Sequence, residues 1–290
     1  MRSKRSKIAH QHQNLVFLII ITFFLVGILC WRTYSYFKQV EVNVAQIQLR
    51  QGPGIEYHAK SQLKRGDRLT VLREKYRWYY VRTANNKFGW VASWNLNPQG
   101  PQTVSKLSDA TIVLDPGHGG SDSGALSAND KMEKTYTLKL AKKVAAQLRQ
   151  KGAKVYLTRT SDKFVSLAAR PALANEVHAN AFISFHFDSS PQQNSASGVT
   201  TYYYHHQLSY SLAHAINQQF NNLSLKNRGI DFGNFEVIRD NDYPAVLLEM
   251  GYINSDHDFA EIKSNQYLAE VANDVVKGLN TYFTASSSTN

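Results

Sequence analysis

Two imidazoles and two carboxylates stand where apolar segments of the chain end. His118 lies in Leu114-Asp115-Pro116-Gly117-His118-Gly119-Gly120, where a buried strand runs into a glycine-rich loop with one imidazole at its tip. Glu133 stands at the start of a helical pattern over Lys134–Gln150, and alone such a carboxylate more often serves the helix dipole. His186 ends the strand Ala181-Phe182-Ile183-Ser184-Phe185, and Glu249 ends Pro244-Ala245-Val246-Leu247-Leu248. A carboxylate straight after a buried strand is costly unless it is paired or bound. Each residue alone is a weak signal. At one edge of one sheet, the four form the inventory of a catalytic zinc site: three protein ligands, a bound water and a carboxylate for its proton. Zinc lowers the pKa of such a water to about 7 and polarises an amide carbonyl. The loop carries neither G-x-x-x-x-G-K-S/T nor G-x-G-x-x-G, so a phosphate-binding role is excluded.

The elements that must bring these residues together alternate between strand and helix. Ala110–Leu114 reads as a buried strand. In Lys134–Gln150, Leu138, Ala141, Ala145 and Leu148 recur at helical spacing. Gly152 stops that helix, and Lys154–Thr158 is the next strand. Ser166–His178 and Ser209–Asn221 are expected as helices, with Tyr267–Tyr282 as the closing one. Ala181–His186, Val199–Tyr204, Phe235–Ile238 and Ala245–Glu249 are expected as strands. This order implies an α/β domain over 110–285, a mixed sheet flanked by helices, with 286–290 as a tail. Loops at the carboxyl ends of its strands are where such folds place ligands.

The first third of the chain differs in kind. Of the 290 residues, 33 are Lys or Arg and 22 are Asp or Glu, a net charge of +11. Residues 1–31 carry +4, residues 32–110 carry +8 and the remainder −1, so the basic excess lies outside the α/β domain. That distribution suits a basic anchor or binding module, not a nucleic-acid-binding protein. The single cysteine, Cys30, excludes an intramolecular disulfide. Leu15–Trp31 has no charged residue, and its 17 residues would span about 25 Å as a helix. No small-x-small cleavage site ends the run, and the basic tail 1–14 outweighs Arg32 and Lys38 beyond it. The expectation is a single-pass membrane anchor over 15–31, with the N-terminus in the cytoplasm and everything after residue 32 outside.

Residues 40–98 alternate in short strands, with Gly52-Pro53-Gly54 and Asn85-Asn86 as turns, and read as a small all-β barrel. The stretch IQLRQGPGIEYHAKSQLKRGDRLTVLREKYRWYYVRTANNKFGWVASWNL resembles a bacterial SH3 domain, a module that commonly holds cell-wall polymers. Most of its aromatic residues are expected in the barrel core; Trp78, Trp90 and Trp94 are the candidates for an uncharged pocket. Residues 99–109, polar, with Pro101 inside and Pro98 just before, read as a linker.

Residues 111–284 resemble the zinc-dependent N-acetylmuramoyl-L-alanine amidases of the amidase-3 group. The resemblance rests on IVLDPGHGGSDSGA, EKTYTLKLAKKVAAQLRQKGAKVYLTRTSD, LAARPALANEVHANAFISFHFD and FEVIRDNDYPAVLLEMGYINS, in that order. It implies His118, Glu133 and His186 as ligands of Zn²⁺ and Glu249 as the catalytic carboxylate. Anchor, SH3 unit and amidase in this order resemble membrane-anchored cell-wall amidases of Gram-positive bacteria, which implies peptidoglycan as substrate and a multi-pass membrane protein as activator. Many members carry Asn two residues after the third ligand where this chain has Asp188, which can pair with a base or add negative charge behind the ligands. Arg239 is a candidate for a stem-peptide carboxylate, and His205 and His206 for the rim of a groove. Arg170 and Asn175 fit structural roles, and His178, His214 and His257 stand as ordinary polar residues. The rival readings are a zinc peptidase acting on stem peptides and a silent wall-binding scaffold.

Overall fold

A computed structural model describes residues 17–30, 32, 38–43, 46–55, 57–75, 78–93, 96 and 104–285. The basic tail 1–14, both ends of the expected 15–31 anchor, Trp94, residues 99–103 of the expected linker and the 286–290 tail lie outside the described residues. Residues 17–30 form a helix, α1, whose side chains are exposed throughout, including Phe17, Leu18, Phe23, Phe24 and Leu29. Among the described residues no helix is long and apolar enough to cross a membrane.

The β unit contains β1 (Gln39–Glu41), β2 (Gln46–Arg50), β3 (Ala59–Lys64), β4 (Arg68–Lys75), β5 (Trp78–Thr83) and β6 (Phe88–Ala92). They pair antiparallel in the order β1-β4-β5-β6-β2-β3. Period-two alternation in β2 turns Ile47 and Leu49 inward, where they meet Val42, Leu63, Leu69, Val81, Val91 and Leu96 in one core. Trp78 and Trp90 are buried against Ala92 in a second, smaller cluster, so neither ring lines an open pocket.

The α/β unit is built on a six-stranded mixed sheet of β7 (Thr111–Pro116), β8 (Lys154–Leu157), β9 (Ala181–Asp188), β10 (Val199–Tyr203), β11 (Asn227–Phe232) and β12 (Ala245–Tyr252). Its order is β11-β10-β12-β9-β7-β8. The last four strands in that order run parallel, while β10 runs antiparallel to β12 and parallel to β11. The helices are α2 (Glu133–Gln150), α3 (Ala169–Glu176), α4 (His206–Asn217), α5 (Glu236–Arg239), α6 (Asp256–Ile262) and α7 (Asn265–Ala285).

Strand periodicity sorts the two faces. Ile112, Leu114, Ile183, Phe185, Phe187, Val246 and Leu248 join the large core under α2, α4 and α7. Val113, Phe182, Ala245 and Leu247 join the smaller core with Leu173 of α3 and Val237 and Ile238 of α5. Continuing the same alternation, Asp115, Ser184, His186, Asp188 and Glu249 fall on the smaller-core side, at the carboxyl ends of parallel strands.

Two expected elements differ from those observed, and β11 and α6 stand where no element is expected. Phe235–Ile238 is no strand: the amides of Ile238 and Arg239 both donate to the Phe235 carbonyl, closing the short helix α5 over the smaller core. Ser166–His178 is helical only over α3, where Pro171, which has no amide hydrogen to lose, lies in the first turn. The edge strand β11 was not expected from its polar sequence NRGIDF, in which only half-buried or exposed positions occur.

Candidate active site

Glu133 is the hub. Its Oε2 lies 2.9 Å from His118 Nε2, and its Oε1 lies 3.0 Å from His186 Nδ1. The amides of Ala125 and Phe187 donate to the same two oxygens at 2.8 and 3.0 Å, so the carboxylate is fixed from four directions. The imidazole rings meet edge to face with centroids 4.7 Å apart. One donor atom from each of His118, Glu133 and His186 lies within 4.8 Å of the others, a spacing that could hold a metal ion. Glu249 pairs in register with His186 across the β12–β9 ladder, beside this cluster. Its Oε2 is buried and has no hydrogen-bond partner.

The loop from β7 is shaped for this convergence. His118 itself adopts φ +60°, a conformation costly for a side-chain-bearing residue, which turns its ring toward Glu133. A Cβ at Gly117 would stand 2.2 Å from the His186 ring, and one at Gly124 would stand 2.5 Å from Glu133 Oε2. Two buried guanidinium groups hold the loop by its carbonyls. Arg159 donates to Pro116 O and Gly117 O, and Arg170 donates to Pro116 O and His118 O. Arg170 also pairs with the buried Asp115 at 2.8 Å, which accepts from Thr158 and Ser184 as well.

The electrostatics separate the two carboxylates. Burial alone would raise the Glu133 pKa, but the two imidazoles outweigh it and hold the carboxyl far below the usual range. Glu249 has burial acting without a compensating partner, and the charges of Glu133 and Asp188 act in the same direction. Its carboxyl is therefore pushed well above the usual range. Burial would lower the His118 pKa, yet contacts with Glu133 and Asp122 raise it.

The structure thus brings His118, Glu133, His186 and Glu249 together. Asp188 sits at the margin, accepting from the Ser189 amide at 2.7 Å and from the Tyr252 hydroxyl, whose pKa burial and Asp188 push up to about 12. Arg239 is not on a strand; it ends α5, half-exposed, and donates to Asp240 at 2.8 Å. His205 does not rim the site, because its Nε2 lies 2.8 Å from the Arg239 carbonyl beneath α5. His206 stacks on Tyr210 in α4, which lies over the other face of the sheet. Asn175 accepts from the Asp242 amide, His178 meets the Tyr243 hydroxyl, His214 stacks on Tyr210 and His257 lies beside Asp258. Sequence reasoning missed Asp122, 2.9 Å from His118 Nδ1, which orients that ring. The available signal was a carboxylate four residues after the loop histidine. Arg159, fully buried, was also missed.

The chain is similar to known cell-wall amidases. Residues 112–281 match the family described as N-acetylmuramoyl-L-alanine amidase, and residues 45–97 match the bacterial SH3 domain. A relative from Staphylococcus epidermidis, named probable cell wall amidase LytH, is 39% identical over 246 residues, covering 82% of this chain and 82% of its own. The protein of that name from Staphylococcus saprophyticus is 35% identical, covering 94% of this chain and 96% of its own. Among solved structures, the catalytic domain of CwlV, an N-acetylmuramoyl-L-alanine amidase from Bacillus (Paenibacillus) polymyxa, is 36% identical. It superposes with a TM-score of 0.58, covering 60% of this chain and 97% of that one.

Proposed function

The chain belongs to the N-acetylmuramoyl-L-alanine amidase family and is a peptidoglycan amidase, and from that premise we propose that His118, Glu133 and His186 hold Zn²⁺ while Glu249 moves the proton. The reaction cleaves the amide between N-acetylmuramic acid and L-alanine. Two imidazole nitrogens and one carboxylate oxygen within 4.8 Å of one another suit zinc in ligand type and number, and leave a coordination position open. The orphaned, buried Oε2 of Glu249 next to that set is the observation that carries the reading. When bound, zinc supplies a Lewis-acid charge that polarises the scissile carbonyl and acidifies water.

The protein's own residues supply the remainder. Asp122 fixes the His118 ring, and the Ala125 and Phe187 amides fix Glu133, so the donor set is preorganised. Glu249 takes a proton from the attacking water as its oxygen bonds to the lactyl carbonyl carbon. It then returns that proton to the L-alanine nitrogen as the C–N bond breaks. Burial and the neighbouring charges of Glu133 and Asp188 raise the Glu249 pKa, which makes it a stronger base toward the attacking water than an exposed carboxylate. The test is Glu249→Gln, which keeps the shape of the side chain. It should retain zinc and the fold while losing turnover by about 10²–10⁴-fold. An active variant would place the base elsewhere.

We further propose that the apolar segment around α1 anchors the chain in the cell membrane, with the basic tail inside and the SH3 and catalytic units outside. The exposed Phe, Leu and Ile side chains of α1 and the positive charge before it support this. The same helix offers a multi-pass membrane activator a surface to contact. Reconstitution of the full chain, with protease applied to one side of the vesicle, tests the orientation.

A further inference from the structure

On the smaller-core side of the sheet, the row of side chains that begins at Glu249 continues across β10 into aromatic rings. Thr200 pairs in register with Glu249, and Tyr202 and Tyr204 follow on the same face, where both pack against the smaller core. The Tyr202 hydroxyl bonds to Thr200, and the charges of Asp188 and Glu249 raise its pKa in addition to the effect of burial, which places it at the margin of the site. Phe235 lies edge-on to Tyr202 with centroids 5.2 Å apart, and Phe232 lies at 5.3 Å from Tyr204. Gly233 lets these rings close up, since a Cβ there would stand 2.5 Å from the Phe235 ring.

Phe232 and Phe235 are 56% and 38% exposed, so these large apolar rings remain in water although a core lies directly beside them. Polar groups border them: Arg239 donates to Asn234 at 3.3 Å, and Asp231 directly precedes Phe232, the last residue of β11. Exposed aromatic faces with a few flanking polar groups, continuous with a catalytic carboxylate, have the composition of a ligand subsite. Among the parts of peptidoglycan, a pyranose ring fits such a surface best. One face of a pyranose is a row of C–H groups that packs on an aromatic face, while its hydroxyl and acetamido groups project to the edges.

We propose that Phe232 and Phe235 form a stacking shelf for a sugar ring next to the N-acetylmuramoyl unit whose amide is cleaved, and that Asn234 and Arg239 hydrogen-bond its polar edge. The shelf would make this amidase favour glycan chains over isolated muramoyl peptides. This rests on the amidase reading above, in which the substrate enters at Glu249.

The experiment uses the full chain in detergent, zinc-loaded, with the double variant Phe232→Ala/Phe235→Ala and the aromatic replacement Phe235→Trp. Hydrolysis is measured on a single-sugar muramoyl peptide and on a glycan oligomer of several disaccharides carrying the same peptide. The expected result is a KM about tenfold higher for the double variant on the oligomer, with kcat unchanged and the single-sugar reaction unaltered. Phe235→Trp should keep the low KM. A double variant that retains the wild-type preference for the oligomer overturns the shelf. A second arm measures binding of peptide-free glycan hexasaccharide to the same proteins and does not depend on turnover. If the amidase reading fails and neither substrate is cleaved, about tenfold weaker binding by the double variant still supports the shelf, and equal affinity still overturns it.

Discussion

Substituting Gly117 by alanine would put a methyl group into the space of the His186 ring while leaving the surrounding fold almost untouched. An added Cβ would stand 2.2 Å from Cε1 and 2.3 Å from Nε2 of that ring. Ordinary contact begins near 3.4 Å, so the imidazole must retreat by about 1.2 Å or turn away from Glu133. Gly117 has no positive φ, and its amide would still donate to the Phe185 carbonyl, so the backbone itself tolerates alanine. The cost falls on the donor geometry of the site. A misplacement of about 1 Å in a catalytic constellation costs roughly 10²-fold in turnover, and a displaced ligand weakens zinc as well. Zinc content after dialysis against a weak chelator and the rate of amide hydrolysis measure the two effects, with the thermal midpoint as the check on folding. A Gly117→Ala protein with wild-type zinc retention and wild-type turnover would show that His186 need not stand where the structure puts it.

Removing the metal should act in the same direction: EDTA abolishes hydrolysis, Zn²⁺ restores it, and His118→Ala fails to retain zinc. Full activity of a demonstrably metal-free protein would contradict this. Arg170→Met leaves Asp115 buried and unpaired and should cost about 3–5 kcal/mol in denaturant unfolding at pH 7. Burial pulls the Asp115 pKa up, but Arg170, Thr158 and Ser184 together hold it below the usual carboxylate value. The pair therefore contributes stability above the unfolded pKa of about 3.9, lost as pH falls through the lower native value, and the deficit of Arg170→Met should shrink over that range. A deficit independent of pH would argue against the ion pair as its source. Because residues 32–110 carry +8, binding of Glu249→Gln full chain to purified walls should weaken as salt rises. Salt-independent binding would point to recognition by uncharged groups.

The site was legible where chemistry interrupts an apolar pattern. His186 and Glu249 each end a run of buried strand residues, and no structural need of a strand explains a charged group there. Glu133 was legible only in combination with the others, since a carboxylate at a helix start has an ordinary explanation. What the sequence hid was relational. Arg159 acts on carbonyls 42 and 43 residues away, a pairing that no local pattern marks, whereas Asp122 left the local signal of a carboxylate four residues after His118. Phe235–Ile238 is apolar enough to read as a strand, yet Val237 and Ile238 close over the smaller core as one helical turn. Strand β11 pairs only with β10 at the sheet edge, so it needs no apolar face and shows none in its sequence.

The most direct test of the account is the mass of the products released from purified peptidoglycan by the zinc-loaded full chain. It predicts peptides with a new L-alanine amino terminus and glycan whose N-acetylmuramic acid carries a free lactyl carboxylate, neither formed by Glu249→Gln. Cleavage inside the stem peptide, with the muramoyl–alanine amide intact, would contradict it.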